Sequence, residues 1–349
     1  MSGMMSAKRP ITIVGGGLAG LTLGIGLRQR EVPVTLYEAG HYPRHRVCGE
    51  FISGRGQQSL VRLRLADWIT RRGAIPARTA AFFTDSRGTA PRALPAPAFC
   101  VSRFTLDDAL AQKFQELGGE LQVGQRWRET GFSEGVIRAS GRRLPADTVG
   151  QRWFGLKIHV RKIALSADLE MHFGSTGYVG LCQLAGGEVN VCGLFRRDPR
   201  RVPGADAREL LRGQPGSVLS RRLADAEFDE ASFCATAGLS LRPGQASAHP
   251  EICVGDAITM IPPLTGNGMS MAFESAELAL EPLAGWSRGE VPWLAAKSRI
   301  ARECDQRFAR RLAWATRLQP LLLTGAWQNA LLWISRSQWF WRTAFGNTR

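Results

Sequence analysis

Pro10-Ile-Thr-Ile-Val-Gly-Gly-Gly-Leu-Ala-Gly20, followed by a helical stretch and then Pro33-Val-Thr-Leu-Tyr-Glu38, decides the reading of this chain. Ile11 to Val14 is a β-branched apolar run, as expected of a buried parallel strand, and Gly15, Gly17 and Gly20 follow it in G-x-G-x-x-G spacing. The pattern predicts a strand, a tight turn and a helix that begins near Leu18 and Ala19. Gly15 makes the turn, Gly17 lets backbone amides approach a pyrophosphate, and Gly20 lets the helix lie close on the strand. The pyrophosphate would sit at the helix N-terminus, where unpaired N–H groups and the positive dipole end face it. A second strand, Pro33 to Tyr37, ends at Glu38, whose carboxylate can accept hydrogen bonds from an adenosine ribose.

The 349 residues suffice for a large core and for two lobes. A net charge of +15 and a pI near 10.5 suggest attraction to anions: phosphate-bearing cofactors, acidic lipids or nucleic acid. No nucleic-acid motif accompanies the charge, so nucleic acid is not the expected partner. The seven cysteines are scattered singly and form neither a disulfide framework nor a C-x-x-C metal site, which fits a reducing cytoplasm. No cluster with metal-ligand spacing is present. Met1 to Arg9 is short and polar, leaving no room for a secretory apolar segment, and no uninterrupted apolar run has membrane-spanning length.

After Glu38, residues 39 to 50 read Ala-Gly-His-Tyr-Pro-Arg-His-Arg-Val-Cys-Gly-Glu, a loop rich in turn formers and cations. Following a parallel strand, it can fold back over a nucleotide, where Arg44 or Arg46 would meet the pyrophosphate; the alternative is a solvated basic loop. Gln57 to Arg71 predicts one amphipathic helix with Val61, Leu65 and Trp68 on one side. Thr79 to Thr84 predicts a strand, Asp85 to Gly88 a turn, and residues 89 to 99, broken by three prolines, a connector. Thr105 is the expected N-cap of a helix ending at Gly118-Gly119. Strands are expected at Glu120 to Val123 and Val136 to Ala139. Leu156 to Val160, Ala167 to Phe173, Tyr178 to Leu184 and Glu188 to Phe195 predict an antiparallel meander distinct from the parallel start. Asp206 to Leu223 predicts helix, and residues 231 to 243 one more strand. Ile252 to Val254 then gives a strand ending at Gly255-Asp256, a loop through Pro263, Gly266, Asn267 and Gly268, and a helix from Met269 to Leu280.

At this second glycine turn the chain resembles FAD-dependent oxidoreductases of the p-hydroxybenzoate hydroxylase type, and within them the geranylgeranyl-reductase-like and flavin-dependent-halogenase-like branch. The resemblance spans most of residues 10 to 285. It rests on Gly15-x-Gly17-x-x-Gly20 with Glu38; Pro43-Arg44 with Val47-Cys48-Gly49-Glu50; Ser102-Arg103 with Leu106-Asp107; and Gly255-Asp256-Ala257 with Pro263 and Gly266 to Met269. It implies an α/β fold, α+β overall. A discontinuous Rossmann-like FAD-binding domain would comprise 1–74, 101–150 and 246–285. An inserted antiparallel-sheet substrate domain would take 75–100 with 151–245, followed by a helical segment, 286–349. Glu38 is implied at the adenosine ribose, Asp256 at the ribityl or pyrophosphate part, and Arg103 near the cofactor. The loop from Gly266 through Asn267 and Gly268 to Met269 is implied beside the flavin ring, where helix dipole and amides favour negative charge. Cys48 is implied near the flavin, and equally suits a small buried filler. His45 and His159 are candidate acid–base groups against a structural reading of each.

Two departures matter. The family's middle Asp-Gly motif survives only as Ala146-Asp147-Thr148 with Arg152. The halogenase Trp-x-Trp-x-Ile-Pro signature is absent, and Trp339-Phe-Trp341 is not that motif.

Residues 286 to 349 hold seven of the ten tryptophans, and Phe308, Leu312, Ala315, Leu318 and Leu322 step at helical spacing between cations, with a kink expected at Pro320. Such helices either pack on the FAD domain behind an arginine-rich face or lie on an anionic membrane surface, as a peripheral attachment. The expected function is oxidation of a hydrophobic aromatic, polyketide or isoprenoid substrate, as hydroxylation through a flavin hydroperoxide with NADH or NADPH as transient donor. The alternatives are reduction of an isoprenoid double bond, a halogenase-like reaction, and a non-catalytic FAD-binding protein.

Overall fold

A computed structural model describes residues 7–128, 131–142, 153–196, 207–239, 241–261 and 268–322, with isolated residues beyond. The stretches around Asp147, at Gly266 and Asn267, and at Trp339 to Trp341 lie outside the described residues.

A five-stranded parallel sheet follows from the short apolar runs. Its strands are β1 (Ile11–Val14), β2 (Val34–Glu38), β6 (Glu120–Val123), β7 (Val136–Arg138) and β13 (Ile252–Cys253), in the order β13-β7-β1-β2-β6. The chain leaves β1 for β2 on one side and reaches β7 on the other, so the crevice for a ligand opens at the C-terminal ends of β1 and β7. Helix α1 (Leu18–Arg28) packs on this sheet between α4 (Arg103–Glu116) and α7 (Gly268–Ser287). Its glycines permit the close approach: a Cβ at Gly24 would come within 2.8 Å of Phe114, and one at Gly26 within 2.6 Å of Leu280.

The second sheet holds β3 (Phe51–Ile52), β4 (Ile75–Phe83), β5 (Arg92–Cys100), β8 (Trp153–Arg161), β9 (Leu169–Phe173), β10 (Gly177–Gln183), β11 (Val189–Arg196) and β12 (Glu227–Leu239). Its order is β12-β8-β11-β10-β9-β4-β5-β3. The β9–β10–β11 meander matches the sequence reading, whereas β8 leaves it and pairs with β11, and β4 joins β9 in parallel. One face packs on α5 (Glu209–Arg212) and α6 (Val218–Arg222) through Val179, Leu181, Val191, Leu211 and Leu219. The other, inner face meets the loop after β2, where Val47 packs on Gly155 and the Cys48 carbonyl accepts from Asn190 Nδ2.

Several local expectations are corrected. The expected helix Gln57 to Arg71 is two, α2 (Arg55–Arg62) and α3 (Ala66–Arg71), separated where Arg64 takes a left-handed φ of 57°. Val61 is consequently exposed, and Leu60, Leu63 and Leu65 are buried. The proline-broken connector is strand β5, because Arg78 faces all of Leu94 to Pro97 across a bulge, and prolines cost nothing where no ladder bond is needed. The N-cap of α4 is Ser102, whose Oγ accepts from Phe104 N, in place of Thr105. The expected helix from Asp206 to Leu223 is the two short helices α5 and α6, and the strand expected at 231 to 243 begins earlier, at Glu227. Helix α8 (Trp293–Leu322) continues through Pro320 and buries Phe308, Leu312 and Ala315 in the main core.

Candidate cofactor and substrate site

At the end of β1, Gly15 adopts φ +115°, and a Cβ there would come within 2.4 Å of the Ala139 carbonyl on the adjoining strand. A Cβ at Gly20 would lie 2.0 Å from the Gly15 carbonyl oxygen, which fixes the helix against the turn. Gly17, the N-cap of α1, is different: a Cβ there would meet nothing within 4 Å. The three glycines thus divide into two that backbone crowding demands and one that leaves open space at a helix N-terminus, the place for an anion. Leu18 and Ala19 follow buried in the first turn.

Glu38 is buried at the end of β2. Its Oε2 accepts from Gly16 N (2.9 Å), and its Oε1 accepts from Gly40 N (2.7 Å) and Arg44 Nη2 (2.7 Å). Burial pushes its carboxyl up, but the Gly40 N–H, Arg44 and Arg46 outweigh this and hold it below the usual range. A carboxylate offers about four lone-pair sites, so one remains for a ribose hydroxyl. Tyr42 Oη donates to the Gly16 carbonyl (2.5 Å), so the loop after β2 does fold back over the glycine turn. Arg44 and Arg46 are held by acids: Arg44 by Glu38, and Arg46 by Asp107 (3.1 Å), with Glu38 at 3.7 Å.

The second glycine turn closes the opposite side. Gly255 takes φ +63° and lies against Ala19, with its N–H donating to Ser275 Oγ (2.8 Å). Asp256 is exposed, yet burial raises its carboxyl above the usual range, opposed by Arg103 and Arg142. Among the described residues nothing donates to this carboxylate. Arg103 grips Asp107 bidentately (2.7 and 2.8 Å) and acts on both Cys48 and Asp256. Burial raises the Cys48 thiol, partly offset by Arg103, so it stays protonated at neutral pH. Gly49 and Gly268 resemble Gly17, with no atom within 4 Å of a Cβ, whereas Met269 is buried behind Gly268.

Val47 crosses the second sheet at Gly155, where a Cβ would come within 2.7 Å of Val47 Cγ1. Beyond it lies a buried polar cluster that the sequence did not reveal. Glu50, fully buried at φ +54°, accepts from Arg103 N (2.8 Å) and pairs with His159 Nε2 (2.8 Å), with Lys157 Nζ at 3.9 Å. Lys157 Nζ meets His45 Nδ1 at 2.9 Å, and His45 is pushed down to about 4 by burial first, then by Lys157 and its neighbour His159. His45 and His159 are therefore brought together in a cluster that holds the Cys48–Glu50 loop. A buried cluster of His249, Glu251 and Cys253 is occupied by Arg138, 3.0 Å from Glu251 and 3.4 Å from the Cys253 sulfur.

The residues present fit FAD: open backbone at Gly17 for a pyrophosphate, an acceptor at Glu38 for a ribose, and an unpartnered carboxylate at Asp256 for further hydroxyls. Arg103 acts on both Cys48 and Asp256, so three segments far apart in sequence meet around its guanidinium.

Comparisons with known proteins agree with this geometry. Residues 13–52 match the NAD(P)-binding Rossmann-like domain. The menaquinone reductase of Mycolicibacterium smegmatis is 24% identical over 363 aligned positions, covering 91% of this chain and 85% of the relative. Among solved structures, the flavin-dependent brominase Bmp2 superposes with a TM-score of 0.71 at 17% identity, covering 98% of this chain and 94% of its own. PqsL of P. aeruginosa, solved with 2-aminobenzoylacetate, gives 0.71 at 18% identity, covering 95% and 100%. The FAD complex of a halogenase PltM variant gives 0.72 at 13% identity, covering 97% and 85%. The match at residues 13–52 thus falls on the first strand, glycine turn and second strand, and the chain shares the overall fold of these flavin-dependent enzymes.

Proposed function

We propose that this protein is an FAD-dependent monooxygenase acting on an apolar organic substrate, with NADH or NADPH as the transient reductant. The observation that carries the reading is Asp256, a carboxylate at the second glycine turn that faces the charges of Arg103 and Arg142 and accepts from no described residue. FAD, when bound, supplies the redox and oxygen chemistry. The chain binds it through Gly17, Glu38 and Asp256, and the apolar cluster of Trp153, Phe173, Tyr178 and Leu194 on its inner sheet excludes water from the reacting face. The aromatic ligand in the PqsL structure supports an aromatic substrate. Purified protein should retain a flavin spectrum, bleach anaerobically with NADH or NADPH, and recover its colour in oxygen with an oxygenated product. Protein that takes up no FAD when it is supplied refutes the proposal.

A second reading, reduction of an isoprenoid double bond, is favoured by the menaquinone reductase relative and by the Val47–Glu50 loop. A saturated product formed without oxygen would select it.

Attachment to an anionic membrane surface is a further reading for α8. No described helix is long and apolar enough to cross a membrane. The Phe308–Leu312–Ala315 stripe is buried in the core, so attachment would use the outward face that carries Arg302, Arg310 and Arg317. Full-length protein should pellet with phosphatidylglycerol vesicles and not with neutral ones; equal recovery in both supernatants refutes it.

A further inference from the structure

Three rungs cross the inner face of the second sheet through β8, β11, β10 and β9. The first is His159, Asn190, Cys182 and Leu169; the second is Lys157, Cys192, Gly180 and Met171; the third is Gly155, Leu194, Tyr178 and Phe173. In the first two the charged groups and donors are engaged: His159 with Glu50, Asn190 Nδ2 with the Cys48 carbonyl (2.9 Å), and Lys157 with His45, while Asn190 Oδ1, an acceptor, has no partner among the described residues. The third is apolar and is completed by Trp153, Leu239 and Met260.

One polar atom stands in that apolar rung. Tyr178 Oη is buried and among the described residues has no hydrogen-bond partner. An unpaired buried hydroxyl is destabilising, and a phenylalanine would fill the same space without that cost. Burial, with Cys192 adding to it, raises the phenol far above its ordinary value, so the group is a neutral donor. The adjacent rung explains what it could meet. Gly180 and Cys192 face each other across β10 and β11 and, although in the middle of the sheet, both are only partly buried. They lie between the aromatic rung and the Cys48–Gly49 loop, bordered by the Met171 sulfur, which stands 3.2 Å from where a Gly180 Cβ would be, so a ligand entering here displaces the flexible Met171 thioether. No base or carboxylate shares the Tyr178 rung, and among the described residues its hydroxyl has no acceptor.

We propose that Tyr178 is a specificity-determining residue: the site at Gly180 and Cys192, opened by displacement of Met171, takes a flat apolar molecule bearing one acceptor oxygen, such as a ketone, to which Tyr178 Oη donates. This rests on the oxidoreductase reading above. Walls of Trp153, Phe173 and Met171 suit a ring system, and the single unpaired donor sets its orientation.

The test uses FAD-loaded full-length protein, wild type and Tyr178→Phe, titrated calorimetrically with 2-acetylnaphthalene and with 2-ethylnaphthalene, which differ in the acceptor oxygen. Wild type should favour the ketone about tenfold, or about 1.4 kcal/mol. Tyr178→Phe should bind both equally, keep the wild-type affinity for the hydrocarbon, retain its flavin, and melt at a temperature equal to or above that of wild type. An unchanged preference in Tyr178→Phe, or binding of neither probe to flavin-loaded wild type, overturns the proposal. Loss of flavin in the variant also overturns it, by assigning the hydroxyl to the cofactor. Wild type that takes up no FAD refutes the oxidoreductase reading itself.

Discussion

Gly17→Ala separates a ligand-binding glycine from a structural one. Gly17 has φ −83° and ψ −175°, which any residue adopts, and its added Cβ meets nothing within 4 Å. The cost to the ligand-free protein is that of a poorer N-cap, about 1 kcal/mol or less, which lowers the melting temperature by about 2–4 °C or less. The same methyl occupies the space through which a pyrophosphate reaches the amides of α1. With FAD at about 100 times its dissociation constant, wild type gains about 2.7 kcal/mol of stability. A hundredfold weaker variant at the same FAD concentration gains about 0.4 kcal/mol. Thermal melts with and without FAD, together with flavin fluorescence titration, should show the FAD-induced shift collapse while the ligand-free melt barely moves. Gly20→Ala is the contrast: its Cβ would lie 2.0 Å from the Gly15 carbonyl, so it should fail in the ligand-free protein already. Gly17→Ala with wild-type FAD affinity, or with a ligand-free melt as damaged as that of Gly20→Ala, refutes the division of roles.

Asp256→Asn should raise the ligand-free melting temperature at neutral pH, because burial disfavours this carboxylate, while weakening FAD binding at least tenfold in a fluorescence titration. Glu38 has a lowered folded pKa, so its contribution is present above the ordinary carboxyl value of 4.5 and is lost as pH falls through the folded value. Urea midpoints of wild type and Glu38→Gln should therefore differ at pH 7, by about 1.5–3 kcal/mol, and converge in acid below that range. Arg311 pairs bidentately with Glu274 (2.7 and 3.0 Å), both buried. Arg311→Met strands a buried carboxylate and should cost about 3–5 kcal/mol in urea unfolding, part of which Arg311→Met with Glu274→Leu recovers.

Where the determinants were local, the sequence was legible. The β1 turn, the β9–β11 meander and the Gly255-Asp256 turn follow from apolar period and glycine placement within a dozen residues, and the structure forms each. Arg64 adopts a left-handed backbone with no glycine or proline to signal it, so the break between α2 and α3 was invisible. Pro95 and Pro97 read as a broken connector, because nothing local reveals that a bulge opposite Arg78 relieves them of ladder bonds. Glu50 could be quoted as part of a motif, but its partners Lys157 and His159 lie more than a hundred residues away and reach it only through the register of β8.

The amino-acid order alone determined a strand, glycine turn and helix with an acid at the end of the next strand, because backbone conformation and crowding at Gly15 and Gly20 are settled by near neighbours. Only the tertiary structure decided that Asp256 faces Arg103 and Arg142 and that Tyr178, on the rung next to Gly180 and Cys192, has no hydrogen-bond partner among the described residues. Burial and hydrogen-bond satisfaction belong to the assembled sheet, and no single segment carries them.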